Sequence, residues 1–350
     1  MKNIDAPNKK LKFALFGHGY HLCYLIKLLV THGFPRPVVI THPKELHERD
    51  RKLLDDPDLY EYVFDVAEEH DVTVMQTDKV NLQSVQDFLT DQKCDIGFSL
   101  SCRSIIKEDV INFFNGNIFN IHPTFLPNER GGGTFSWRIL NNVKEVSATL
   151  HYIDTGIDTG NVVLQKKKII VTDFPKPYDY MVETNIIYKI LLNAFIDDLS
   201  NILGADGIRQ VESESTYFPR LITETNGAID WTINGVFIER TIRAFSKPYP
   251  GAFTYLKGTK VLIMESYFEE NNHGMHPLMY GKILKHTEEG ASKTVVKDGY
   301  LYVTKIKDCY GEVHIPSGII SHPGQFYTPN DLVEISKSTT NKISKVKLEN

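Results

Sequence analysis

The strongest constraint on this chain is an alternation in its first half: short apolar runs of strand length, each followed by a stretch with helical periodicity. Residues 11–16 (LKFALF) form the first run and stop at Gly17-His18-Gly19, after which residues 22–30 carry apolar side chains at helical spacing. That is strand, glycine turn and helix, the opening of an α/β unit. A turn at Pro35-Arg36-Pro37 leads into a second strand at 38–40, residues 59–70 read as helix, and 72–75 as a third strand. A helix at 81–93 and a strand at 95–100 repeat the pattern. Such alternation predicts a Rossmann-like, mostly parallel sheet covered on both faces, with ligands bound beyond the carboxyl ends of its strands.

Beyond it, a strand at 117–121 runs into His122-Pro123, a helix is expected near 134–141, a strand at 148–153 and a long helix at about 175–203. Five short strands at 254–255, 261–264, 280–284, 294–296 and 300–303, separated by turn residues, predict a small β-barrel or sandwich. The chain's 350 residues accommodate two domains. The expected division is a catalytic α/β domain over 1–205, a linker over 206–230, a β domain over 231–330 and a polar tail over 331–350.

Composition narrows the class. Hydrophobic residues make up 41% and the net charge is −5, which fits a soluble globular chain and gives no basic footprint for nucleic acid. No apolar run approaches the roughly 20 residues that span a bilayer, and the start, MKNIDAPNKK, lacks the apolar stretch of a signal peptide. The expectation is a cytoplasmic protein with no membrane partner. Cys23, Cys94, Cys102 and Cys309 form no Cys-x-x-Cys pair and read as reduced thiols. Gly17-His18-Gly19-Tyr20-His21-Leu22 lacks the third glycine of a dinucleotide fingerprint, and no acidic residue ends the second strand, so a dehydrogenase fits poorly. His18 and His21 lack a third anchored ligand, and no metal is expected.

The residues that carry chemistry lie further on. Asn120 and His122, two apart at a strand end, share one side of the pleat; Asp154-Thr155-Gly156-Ile157-Asp158-Thr159-Gly160 follows the 148–153 strand. An amide, an imidazole and a carboxylate together can run acyl transfer to an amine. Asn stabilises the oxyanion, His carries the proton, and the carboxylate orients His. Spacing alone favours the plainer readings: a turn cap for Asn120, a satisfied surface histidine for His122 and an Asx-turn for Asp158.

Asn120-x-His122-Pro123-x-x-Leu126-Pro127, with Asp158 in Gly-Ile-Asp-Thr-Gly, resembles the signature of the 10-formyltetrahydrofolate-dependent formyltransferases. The resemblance implies that Asn120, His122 and Asp158 are the catalytic trio. It implies that Ser101, Cys102, Arg103 and Ile105 line the pterin slot, completed by Thr155, Gly156 and Ile157. It implies 10-formyltetrahydrofolate as the co-substrate. Residues 226–231, 242–245 and 248–253 resemble the junction and start of the family's OB-like C-terminal domain, so the likeness covers roughly 11–305. Residues 311–330, with His322-Pro323-Gly324-Gln325-Phe326, and the tail match nothing.

Three branches of the family compete. Glycinamide ribonucleotide enzymes usually have one domain, which the C-terminal region argues against. A methionyl-tRNA enzyme must neutralise phosphates, yet residues 41–62 hold four Lys and Arg against seven Asp and Glu. The glycine-rich continuation to Trp137 is similar to enzymes that formylate amino sugars on nucleotides. Tyr217, Phe218 and Arg220 offer stacking rings and a phosphate partner. The expectation is therefore a sugar-nucleotide N-formyltransferase, of the kind used in lipopolysaccharide biosynthesis and compatible with a homodimer. Methionyl-tRNA formyltransferase, formyltetrahydrofolate hydrolase and a non-catalytic nucleotide-binding module are the rival readings.

Overall fold

The computed structural model describes residues 8–54, 56–170, 172–271, 273–321 and 324–328, which fall into two compact units. The first comprises residues up to 134, 144–172 and 179–220; the second comprises 135–143, 173–178 and 221 onward. His322, Pro323 and the tail lie outside the described residues.

The first unit is built on a seven-stranded sheet. Its strands are β1 (Phe13–Gly17), β2 (Val38–Thr41), β3 (Thr73–Gln76), β4 (Ile96–Leu100), β5 (Ile118–His122), β6 (Glu145–Tyr152) and β7 (Val162–Ile169), in the spatial order β3-β2-β1-β4-β5-β6-β7. The first five are parallel; β6 joins β5 antiparallel, and β7 joins β6 antiparallel. All five residues of β1 and of β4 are buried, as expected of strands covered on both faces. Helix α1 (Tyr20–Thr31) follows the glycine turn. Gly17 is obligatory there: its φ is +126°, and a Cβ would stand 1.9 Å from the Leu100 carbonyl oxygen.

Several elements differ from expectation. The sequence 44–53 forms helix α2 (Lys44–Leu53), whose mostly charged surface hid its period. The 59–70 helix shortens to α3 (Val63–Glu69). The edge strand β7, VVLQKKKI, was not expected; three consecutive lysines mask its alternation and suit an exposed sheet edge. The 175–203 helix is two, Pro177–Asp197 and Leu199–Ile202. Residues 206–220 are no linker. Ile208 bridges Val162, and Tyr217–Phe218 pair in parallel with Arg130–Gly131, all within the first unit.

The second unit holds helix α4 (Gly235–Ala244) and strands β8 (Ala252–Leu256), β9 (Thr259–Glu270), β10 (Lys282–His286), β11 (Ser292–Val296), β12 (Gly299–Lys307) and β13 (Gly324–Tyr327). They pair in the order β9-β8-β13-β10-β11-β12, and β12 returns to β9, closing a six-stranded antiparallel barrel. The block that matched nothing in sequence thus supplies β13, between β8 and β10. Phe326 of this strand stacks on buried Trp231 with ring centroids 5.1 Å apart.

Candidate active site

The site lies across β4, β5 and β6, near the carboxyl end of β4 and of the antiparallel β6 and at the middle of β5. Register places Ser99 beside Asn120 and Asn120 opposite His151, so one row of side chains crosses three strands. These three line a cavity of about 210 Å³ together with Cys102, Ser104, Ile105, Ile106, Asp154, Gly156, Ile157 and Asp158. Ile105 and Ile157 are 63% and 44% exposed, unusual for isoleucine, and present apolar surface at this cavity.

The loop carrying Asp158 is shaped by its own residues. Asp154 Oδ1 accepts from Gly156 N (3.1 Å) and Thr159 Oγ1 (2.6 Å), closing an Asx-turn. Asp158 sits at φ +55°, a left-handed conformation that Asp tolerates. Its Oδ2 accepts from Gly131 N at 2.9 Å and lies 3.3 Å from His122 Nδ1; its Oδ1 lies 3.7 Å from His151 Nε2. His122 Nε2 is 2.9 Å from the Glu129 carbonyl oxygen, so both ring nitrogens face oxygen.

Asn120 Nδ2 is 3.1 Å from His151 Nε2, and His151 Nδ1 is 2.7 Å from the Tyr152 carbonyl oxygen. A carbonyl only accepts, so the proton of a neutral His151 sits on Nδ1 and Nε2 accepts from Asn120. Burial pushes the His151 pKa down to about 4, outweighing the pull of Asp158, and keeps the ring neutral near pH 7. One N–H of Asn120 is thereby held and the other remains for the cavity. The segment after His122 is fastened to the sheet: Thr149 Oγ1 accepts from Leu126 N (3.1 Å) and donates to Thr124 O (2.7 Å), while Gln165 Nε2 donates to Leu126 O (2.7 Å).

The structure brings Asn120, His122 and Asp158 together, with one refinement. His122 does not line the cavity; it stands behind Asp158, and His151 faces the cavity instead. Of the expected pterin residues, Cys102, Ile105, Gly156 and Ile157 line it, whereas Ser101 and Thr155 do not. Arg103 turns to an adjoining cavity of about 180 Å³, pairing with Asp50 at 2.6 Å and donating to Leu46 O. Burial raises the Cys102 thiol pKa and leaves it un-ionised. Tyr217 and Phe218 reach the trio through Gly131: a Cβ there would stand 2.4 Å from Phe218 O, and its φ is +96°. Arg220 packs beside Gly132. Trp137 belongs to the second unit. His151 escaped the sequence reading; its signal was membership of the 148–153 strand, but only the β5–β6 register sets it against Asn120.

An amide, two imidazoles and a carboxylate at the carboxyl end of a doubly wound sheet define an enzyme that passes an acyl group to a nucleophile. Residues 11–177 match the family described as Formyl transferase and residues 221–313 that described as Formyl transferase, C-terminal domain; the chain belongs to the formyltransferase family. That family uses 10-formyltetrahydrofolate as its formyl donor.

Among similar proteins, a methionyl-tRNA formyltransferase of Geobacter sulfurreducens is 25% identical over 71% of this chain and 75% of its own. The bifunctional polymyxin resistance protein ArnA of Wigglesworthia glossinidia brevipalpis is 31% identical over 74% of this chain and 38% of its own. An N-formyltransferase from Helicobacter canadensis, solved with folinic acid and dTDP-3-aminofucose, shares the fold with TM-score 0.60 and 22% identity, over 84% of this chain and 98% of its own. No described helix is long and apolar enough to cross a membrane.

Proposed function

We propose that this enzyme transfers a formyl group from 10-formyltetrahydrofolate to the amine of a nucleotide-linked amino deoxysugar. The observation that carries the acceptor class is the parallel pairing of Tyr217–Phe218 with Arg130–Gly131. Tyr217 is 58% exposed, Arg220 follows it, and Gly131 N is held by the Asp158 carboxylate. An aromatic face for a base and a guanidinium for phosphate are thus tied by backbone to the reacting groups. The acidic 41–62 stretch, much of it helix α2, speaks against a polyanionic acceptor. The Helicobacter canadensis enzyme, crystallised with a dTDP-amino sugar, supports the same reading.

The cavity fits the donor's flat ring: Ile105 and Ile157 supply apolar faces, and Ser99, Ser104 and Asp154 polar edges. The bound donor supplies an electrophilic formyl carbon. The chain supplies the rest. The free N–H of Asn120 faces the oxygen that gains charge as the amine adds. Asp158, at the cavity wall with His122 behind it, accepts the proton the nitrogen must lose, and the Asp158–His122 pair shares that charge; the proton then passes to N10 of tetrahydrofolate as the formyl C–N10 bond breaks.

The test is incubation with 10-formyltetrahydrofolate and a panel of dTDP- and UDP-linked 3-amino and 4-amino deoxysugars, read by mass gain of the acceptor. Formylation of one nucleotide sugar at a turnover well above its uncoupled rate is expected. A second reading, methionyl-tRNA formylation, is favoured by the named Geobacter relative. Formyl transfer to methionyl-tRNA with none to any sugar would replace the proposal. Donor turnover without acceptor would replace it with a hydrolase.

A further inference from the structure

The sequence marks His18 and His21 as imidazoles without a third partner, and the structure separates them. His21 turns into the first unit and stacks on Tyr188 with centroids 4.0 Å apart. His18, after β1, instead joins His42, after β2, and His47 of α2. His42 and His47 stack at 3.7 Å with planes 18° apart, and His18 stands edge-on to both at 4.7 and 5.5 Å. The donor nitrogens of the three lie within 4.8 Å of one another.

Two observations mark this cluster. First, His18 Nδ1 and His42 Nε2 are both shielded from solvent and without a hydrogen-bond partner; His21 Nε2 and His70 Nε2 share that condition singly, whereas here two such rings are in contact. His42 as a whole is 4% exposed. Second, neighbours already orient two of the rings. His18 Nε2 lies 3.5 Å from the Asp50 carboxylate, which also pairs with Arg103; His47 Nε2 lies 3.1 Å from the His42 carbonyl oxygen, and its Nδ1 lies 3.2 Å from the Tyr60 hydroxyl, a contact that an ion at Nδ1 would displace. His42 also borders the cavity shared with Arg103, which gives an ion a way in.

We infer that His18, His42 and His47, with Asp50 beside them, form a binding site for one divalent transition-metal ion of the zinc class. Imidazole donors select Zn²⁺, Co²⁺, Ni²⁺ or Cu²⁺ over Mg²⁺ and Ca²⁺. Tetrahedral coordination at about 2.0–2.1 Å draws donors to roughly 3.3 Å from one another, so the rings close in and the stacked pair tilts on binding. The ion would pin the β1–α1 turn to the start of α2. The site lies outside the Asn120 cavity and does not depend on which amine is formylated.

Cobalt and zinc titration of the full chain tests this. A second cluster, Asp308, Glu312 and His314, is removed from the count by working in a His314→Ala background. Expected are one Co²⁺ per chain with the absorption of a low-coordinate cobalt centre, displacement by Zn²⁺, and a thermal midpoint raised by Zn²⁺. His18→Asn, at the solvent side, is expected to keep the fold, weaken Co²⁺ binding at least tenfold and abolish the Zn²⁺-induced rise; His42→Gln should do the same. Absence of saturable binding overturns the site, as does binding within twofold of the parent in a folded His18→Asn chain.

Discussion

Asn120 and His151 face each other where the sheet changes from parallel to antiparallel, and the amide of one donates to the ring nitrogen of the other at 3.1 Å. The Asn120 amide is thus aimed by a neutral imidazole that is itself fixed through Nδ1 to the Tyr152 carbonyl. Asn120→Ala removes the oxyanion donor and should cost about 2.7–4 kcal/mol of barrier. His151→Ala leaves the amide present but free to rotate, and kcat should fall about 10- to 100-fold, as expected of a lost buried hydrogen bond. Donor and acceptor KM should stay within about threefold. His151→Gln keeps an acceptor and should recover most of the loss. Steady-state kinetics of the three variants separates aiming from simple destabilisation, which Gln would not repair.

Asp158 holds three things at once: the backbone of Gly131, the ring of His122, and a left-handed turn. Asp158→Asn keeps the turn, because Asn also adopts φ > 0, and keeps an oxygen for Gly131. The charge is lost, and an NH2 donor replaces one acceptor oxygen. The thermal midpoint should therefore move by no more than a few degrees, while kcat falls about 100-fold or more because no carboxylate remains to take the amine's proton. A variant with near-normal kcat would remove Asp158 from the chemistry.

The parallel half of the sheet was legible because its strands are buried on both faces and read as unbroken apolar runs between helical stretches. Residues in continuous chain, such as Asn120 and His122, could be paired from the period of a strand. His151 could not, since its partner lies 31 positions away and only register joins them. Strand β7 and helix α2 were hidden by charge: Lys166, Lys167 and Lys168 on an edge, and seven charged residues among the ten of α2. Arg103 was expected at the pterin slot and instead pairs with Asp50, a carboxylate on that unanticipated helix. The linker reading failed because Gly, Ser, Thr and Pro over 205–220 suit a segment wrapped over a domain as well as one between domains. Strand β13 was missed because it is short and follows the family's matched region, which ends at residue 313.

That wrapped segment makes its own prediction. Gln210 Nε2 donates to Asp158 O at 2.9 Å and Gly160 O at 2.7 Å, while its Oε1 accepts from Arg130 Nε and Nη2. One side chain therefore braces the backbone of Asp158 against a buried guanidinium. Gln210→Ala leaves two carbonyls and part of Arg130 without partners, a loss of about 1–3 kcal/mol. Urea unfolding should report that loss. Activity should fall further than stability at 25 °C explains, because the Asp158 loop slackens. Gln210→Glu, which restores the acceptor but loses both donated bonds, should recover stability more than turnover.

Acid should unfold the chain for a reason visible in two buried rings. Burial pushes both His21 and His151 down to about 4. In the unfolded chain each returns to about 6.5. Above that value neither state carries the proton, so pH has no leverage through these rings. Between about 6.5 and about 4 the unfolded chain binds protons that the folded chain refuses, so stability falls as pH falls; below about 4 the effect levels off. Each ring contributes up to about 1.4 kcal/mol per pH unit within that window. Carboxylates titrate in the same range, so the check is a difference. The urea midpoint measured between about pH 7 and about pH 4.5 should fall less steeply in His151→Gln than in the parent, by the equivalent of one proton. Parallel slopes would mean that His151 takes up its proton in the folded state, and would remove the neutral acceptor on which the aim of Asn120 depends.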